Sequence, residues 1–275
     1  NEFRDNMLND RRIVSLYDYP NGKDCFPSTF IAGGICYFLW NEDYYGICSV
    51  SNIINHQKST ENRYLNEFDV FIRMNKAVDI LKKVLSNNED KLESIVSPQR
   101  PYGFRTYERG SDLKNKDSVK LYSSEGIGYV SRSEVTSLKD NIDKYKVILS
   151  RADSGHPQEE VASGKPTNVI CRGKVLNPGE VCTETWLSIG SFDTEVEANN
   201  LNDYLNTRFV RFLLLQSLSS IMITNTMFNF VPIQDFKKSW TDDKLYVKYN
   251  IVEEEQTYIK EMIKKLFFFI FAIFF

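Results

Sequence analysis

Hydrophobic residues recur along this chain with two different periods, and the change of period marks where sheet gives way to helix. Residues 13–19 (IVSLYDY) form a short apolar-rich run closed by the turn signal Pro20-Asn21-Gly22, which predicts a strand. Gly33-Gly34 then opens residues 35–40 (ICYFLW), apolar throughout, which predicts a strand buried on both faces. Residues 41–46 (NEDYYG) read as a turn and 47–53 as a further strand. Three strands this early, with no helix before them, read as the end of a larger sheet, because ICYFLW cannot cover both of its faces alone.

The period then lengthens. Ala77, Ile80, Leu81, Val84 and Leu85 fall at helical spacing behind Asn75, a residue type that caps helices. From Ser97 to about Asn177 the chain is irregular and rich in Gly, Pro, Ser and charge, with strand candidates at 118–122, 128–131, 145–150 and 181–189. Loop-heavy β structure of this kind is where binding residues tend to be presented. Thr194-Glu195-Val196-Glu197 fits a capping box, and Val196, Leu201, Tyr204, Leu205, Phe209, Phe212 and Leu213 follow as one apolar stripe. The stretch 232–266 carries Trp240, a candidate cap at Thr241 and a charged amphipathic helix from about Glu253. No internal repeat is present.

Composition narrows the function classes. A chain of 275 residues, 42% hydrophobic, has room for two domains with real cores. A net charge of -3 excludes nucleic-acid binding by bulk charge, so any such surface is a local patch. Cys25, Cys36, Cys48, Cys171 and Cys182 are odd in number and contain no C-x-x-C pair, and His56 and His156 stand far apart. That pattern predicts reduced thiols in a cytoplasm, with no disulfide framework and no metal. The start at Asn1 has no signal-peptide pattern and reads as an internal cut. The terminal LFFFIFAIFF (266–275) is short of the roughly 20 apolar residues a bilayer needs, so it reads as a truncated or frameshifted end, not an anchor.

Four segments carry a resemblance. They are DYPNGKDCFPSTFIAGGICYFLW (18–40), VSPQRPYGFRT (96–106), CTETWLSIGSF (182–192) and FVPIQDFKKSWTDDKLYVKY (230–249). In this order they resemble the C-terminal half of gamma-class adenine-specific DNA methyltransferases of type II restriction–modification systems, including fused methylase–endonuclease enzymes. The resemblance implies a mixed α/β fold in which residues 1–58 are the terminal strands of an S-adenosylmethionine-type methyltransferase sheet. Residues 59–235 would be a mixed α+β target-recognition domain, and 236–275 a helical tail. It also implies double-stranded DNA and an N-terminal catalytic domain as partners, and S-adenosylmethionine as cofactor of the complete enzyme. The family's Asn-Pro-Pro-Tyr/Phe motif is absent; the one Asn-Pro is Asn177-Pro178, followed by Gly179. No Gly-rich turn joins a strand to a helix near the start. This chain is therefore expected to hold no catalytic, cofactor or metal residues and to transfer no methyl group alone. Two rival readings stay open: the specificity segment of a type II restriction endonuclease, and an inactive α/β interaction module from a decayed gene.

Within that resemblance, Phe26 and Pro27 are similar to the motif that sets an aromatic ring against a flipped adenine; the alternative is that Phe26 plugs a sheet edge. The loop from Arg100 to Arg109 interleaves arginines with aromatics, and Arg100, Tyr102, Arg105 and Arg109 are its candidate DNA contacts. Between Pro98 and Lys120 there are six basic residues against three acidic ones, a local positive patch. The alternative is a solvated loop anchored by Tyr102 and Phe104. Lys165, Arg172 and Lys174 form a second basic candidate beside glycines, and Thr224, Asn225 and Thr226 a third, polar enough to reach base edges. Lys144, Lys146 and Arg151 read as ordinary strand-edge charges.

Overall fold

The first strand, β1 (Ile13–Tyr19), alternates inward Leu16 and Asp18 with outward Tyr17 and Tyr19, and it nucleates a four-stranded sheet in the order β2-β1-β3-β4. In this computed structural model, which describes residues 2–29, 31, 33–152, 157–218 and 222–266, β2 is Ile35–Trp40, β3 Cys48–Ile54 and β4 Gln57–Arg63. β1 runs antiparallel to β2 and parallel to β3, with Leu16 opposite Val50. Leu16, Val50, Ile13 and Cys48 make a small core closed by Leu65, Phe71 and the helix α1 (Glu2–Asn9) through Met7 and Leu8. The polar β4, QKSTENR, has no apolar signature; it forms because Asn55 and His56, both at positive φ (50° and 62°), make the tight turn of a hairpin with β3. It crosses residue 58, so the first sheet extends past that point.

One sequence expectation is overturned here. β2 is not a buried strand but an edge strand, with Tyr37, Phe38, Leu39 and Trp40 between 42% and 57% exposed. A strand apolar on both faces is buried only if something covers each face, and among the described residues the outer side of β2 carries only partial cover. Tyr37 stacks on Tyr17 at 5.0 Å, and Trp40 lies under Arg12 and donates to Asp10.

The small core is stitched to a much larger one by polar groups. Asp18 takes a two-point ion pair from Arg73 at 2.8 Å, and Asn52 accepts from the Asn75 backbone while donating to Arg73 O. Asn75 therefore does not cap α2 (Asn75–Leu85). Met74 occupies the cap position, and the Asn75 side chain turns away to donate to Val50 O at 2.9 Å.

The larger core gathers α2, two strands and four helices. β7 (Tyr145–Ser150) pairs with β8 (Lys174–Leu176) and with β10 (Trp186–Phe192) in the order β10-β7-β8. The third sheet, β6-β5-β9, joins β5 (Ser118–Ser123), β6 (Gly126–Ser131) and β9 (Glu180–Cys182). The single strand expected at 181–189 is thus two strands in two sheets, because the backbone turns at 183–185, where Trp186 N donates to Thr183 O. The short α3 (Pro157–Ala162) leads towards β8. The long helix expected after Thr194 is α4 (Glu195–Leu205) and α5 (Arg208–Ser217), broken where Thr207 caps again by accepting from Val210 N. Thr194 caps α4 as expected, but Val196 points to solvent. The last helices, α6 (Asp242–Lys248, capped by Thr241) and α7 (Glu253–Met262), pack Leu245, Tyr246, Tyr249, Ile259 and Met262 into the same core, with Tyr249 stacked on Phe209 at 5.2 Å. The apolar run 267–275 and His156 lie outside the described residues.

Lys146 corrects the strand-edge reading: it is fully buried in β7 and donates to the carbonyls of Ile142, Lys144 and Asn177 at 3.0, 2.9 and 3.2 Å. Desolvation pushes its ammonium down to about 8. Because the folded value lies below the unfolded one, the unfolded chain binds more protons in the interval, and stability gains with rising pH from about 8 towards about 10.4. Followed by urea denaturation across that window, the parent should gain stability relative to Lys146→Met as pH rises, and Lys146→Met should be about 2 kcal/mol less stable near neutral pH because three buried carbonyls lose their donor. A slope that is the same in both proteins would contradict this role. The exposed β2 edge carries a second expectation: sedimentation velocity should show concentration-dependent association that Leu39→Lys weakens. A parent chain that stays monomeric at high concentration would contradict it.

Candidate nucleic-acid interface

The loop 100–109, which forms no strand, buries Pro101, Tyr102 and Phe104 and exposes Arg105, Thr106 and Tyr107. Tyr102 and Phe104, two apart, point the same way and are buried in the core beneath the third sheet. Tyr102 hydroxyl lies 3.1 Å from the Ser188 hydroxyl, and burial holds its phenol above the ordinary range. Tyr102 is thus an anchor and not a contact, which corrects its place among the candidates. The ring presented to solvent is Tyr107, 76% exposed, which the sequence reading passed over. Between the anchors, Gly103 has φ +95°, and a Cβ there would sit 2.0 Å from Thr136 Oγ1, so only glycine fits the turn. Arg100 holds a left-handed backbone (φ 61°) that aims its side chain outward, while Ser137 donates to Pro101 O at 2.8 Å.

Three arginines leave this frame. Arg100 and Arg105 are about half exposed, and their guanidiniums stand 3.6 and 4.0 Å from one carboxylate oxygen of Glu184. Arg109 is committed locally, pairing with Glu125 at 2.6 Å and donating to Thr106 O. Glu184 lies in the turn 183–185 between β9 and β10 and is held on both sides. Its backbone N donates to Phe104 O at 3.0 Å, and its carbonyl accepts from Arg151 Nη1 at 3.3 Å. Arg151, expected as a strand-edge charge, is buried, and its Nε also donates to Ile223 O, while Ile223 N donates to Arg151 O. These bonds tie Ile223, the residue before Thr224, through Arg151 to the turn 183–185 that also holds Phe104. Thr224 and Thr226 share a hydroxyl hydrogen bond of 2.9 Å, Thr226 is exposed, and Asn225 opens a short 3-10 turn.

The remaining candidates stand apart. Arg172 pairs with Asp203 of α4, and Lys174 sits 4.1 Å over the Tyr122 ring, which also faces Lys120. Lys165 is exposed beyond α3, where its backbone N donates to Glu160 O. No described contact joins Lys165 to Lys174 or either of them to the Arg100 loop. Phe26 and Pro27 are exposed in the turn after Gly22, Phe26 at 53%, with Phe26 N donating to Gly22 O. Phe26 therefore does not plug a sheet edge; its ring is free to meet a partner. Among the described residues no group of His, Cys, Asp and Glu is placed to hold a metal ion, and no helix is long and apolar enough to cross a membrane. Among the described residues Cys25, Cys36, Cys48 and Cys182 are in no disulfide.

Comparison with known proteins adds one relative. No protein-family model matches the chain. Over 95 residues, 34% of its length, the chain is 30% identical to an uncharacterized adenine-specific methylase of Mycoplasma pneumoniae, and the match spans 22% of that protein. A solved structure, the type IIG restriction endonuclease BpuSI, superposes on 95% of the chain and 45% of its own length at a TM-score of 0.34 and 9% identity. That likeness is too distant to transfer a single residue.

The anchoring of the loop is directly testable. Tyr102→Ala should cost about 4 kcal/mol in chemical denaturation, since it empties a fully buried aromatic site. Tyr102→Phe should cost roughly 1 kcal/mol, for the Ser188 hydrogen bond alone. Near-parent stability of Tyr102→Ala would mean that the loop is not fixed from below.

Proposed function

We propose that this chain recognises double-stranded DNA as part of a site-specific adenine methyltransferase of a restriction–modification system. The pairing of the half-exposed Arg100 and Arg105 around Glu184 in a loop that also exposes Tyr107, with Ile223 beside Thr224–Asn225–Thr226 tied to residue 184 through the buried Arg151, carries the reading. A surface with two half-exposed guanidiniums, a free ring and short hydroxyl and amide groups has the parts that DNA recognition uses: phosphate positioning, guanine and adenine edges, and stacking. The similarity to an adenine-specific methylase supports the same class. Phe26, exposed beside Pro27, is assigned the stacking partner of an extrahelical base.

Methyl transfer from S-adenosylmethionine belongs, in this reading, to a catalytic part outside the chain. The described residues do not fit that cofactor. The positive-φ pair Gly33-Gly34 opens a strand, not a helix, and a Cβ at Gly34 would lie 2.3 Å from Tyr19 O, so this turn is packed by its own backbone. A nucleoside-binding turn needs glycines that leave room for the ligand at a helix N-terminus. No catalytic step is assigned to these residues.

The arginines divide by their surroundings. Arg105, next to the anchored Phe104 and just past the tight turn at Gly103, is assigned the base reader. Arg100, fixed beside Pro101, is assigned the phosphate clamp, and Arg109, occupied by Glu125, contributes least. In fluorescence titrations with the full chain, Arg100→Ala should weaken binding to every duplex and lower the salt slope by roughly one unit. Arg105→Ala should cost about 1–3 kcal/mol on a duplex enriched from a randomised library and much less on random sequence. If Arg100→Ala, Arg105→Ala and Arg109→Ala all bind both duplexes like the parent at low and moderate salt, this loop is not the DNA surface.

A further inference from the structure

The two oxygens of Glu184 have separate tasks. Oε1 accepts from Thr106 N at 3.2 Å and from Thr106 Oγ1 at 3.3 Å, which fixes the outer half of the loop. Oε2 faces Arg100 Nε at 3.6 Å, Arg105 Nη1 at 4.0 Å and Gln99 Nε2 at 3.5 Å. Both guanidinium distances are ion pairs without a short, aligned hydrogen bond, so the charges attract while the donors stay available. The carboxylate is itself largely buried (11% exposed), whereas its two arginine partners are 43% and 49% exposed. A largely buried, fixed anion thus sits beside two half-exposed cations.

We infer that Glu184 is a positioning residue that sets how strongly this surface takes DNA irrespective of sequence, by competing with phosphate for Arg100 and Arg105. The inference rests on the reading of the loop as a DNA surface. A phosphate that draws either arginine outward must weaken its attraction to Glu184 and also meets the residual field of the carboxylate. A guanine edge is neutral and accepts hydrogen bonds from a guanidinium that keeps its anion. Glu184 therefore penalises phosphate contact more than base contact, a discrimination achieved by weakening the wrong complex.

The isosteric Glu184→Gln separates the two tasks. It keeps a carbonyl oxygen for Thr106 and removes the charge, and the backbone bonds of residue 184 to Phe104 and Arg151 do not depend on the side chain. Binding of the full chain to a short fluorescein-labelled duplex of randomised sequence is measured across a KCl series. Affinity should rise roughly fivefold at low salt, the size expected for one charge about 4 Å away when water screens it as in bulk, and the gain should shrink as salt rises. The gain should vanish in the background of Arg100→Ala with Arg105→Ala, since the effect runs through those side chains. Glu184→Ala serves as the second charge-removing variant and should also raise affinity, while loosening the loop to protease. Unchanged affinity in both Glu184 variants, with the arginine variants weakened, overturns this inference and leaves the surface reading standing. A gain that survives in the arginine-free background overturns it too. If the arginine variants also bind like the parent, the surface reading fails and this inference fails with it.

Discussion

Ser188, buried in the middle of β10, ties the loop that carries Arg100 and Arg105 to the core. Its backbone exchanges hydrogen bonds with Ser97, and its hydroxyl meets that of Tyr102. β10 is itself fixed by pairing with β7 and by the apolar side chains of α4 and α5 packed beneath it. Once residues 97 and 102 are pinned to that strand, the chain between them has little freedom. The arginines on either side of the buried Tyr102 and Phe104 must then emerge on the solvent side. Rigid presentation of long, flexible side chains reduces the ordering entropy that binding would otherwise cost.

The same economy governs charge. The chain is slightly acidic, and many exposed cations are neutralised by a neighbour: Arg12 by Asp10, Arg132 by Asp143, Lys144 by Asp193 and Arg109 by Glu125. Exposed pairs of this kind add little to stability, so their main consequence is a muted surface potential. Against that background, two arginines sharing one carboxylate leave a local excess of positive charge. A patch defined by geometry can thus exist in a protein whose net charge gives no hint of it.

Much of this was legible in the sequence because local physics fixed it. The strands β1, β5, β6 and β7 and the helices α2, α6 and α7 follow from periodicity and turn residues, and the Thr194 and Thr241 caps from side-chain chemistry. What escaped was set by distant partners. The edge position of β2 depends on what covers it, and β4 exists only because β3 supplies its ladder. Asn75 lost its capping role to a bond with β3, far from it in sequence. In the candidate site, Arg100 and Arg105 are about half exposed and Arg109 is paired with Glu125, whereas Tyr102 and Phe104 are both buried in the core beneath the third sheet. Glu184 and Arg151 carried no signal in sequence, since one sits in an unforeseen turn between two sheets and the other is buried by residue 223.

The central claim is that one contiguous surface, built from the loop near Arg100–Arg109, the turn 183–185 and the segment 222–226, meets duplex DNA. Amide hydrogen exchange of the full chain, with and without duplex, reports on all three segments together. The account requires slowed exchange in all three on adding DNA, with little change in β8 and at Lys165. Protection confined to the region of Lys165, Arg172 and Lys174, or none anywhere in the three segments, would contradict it.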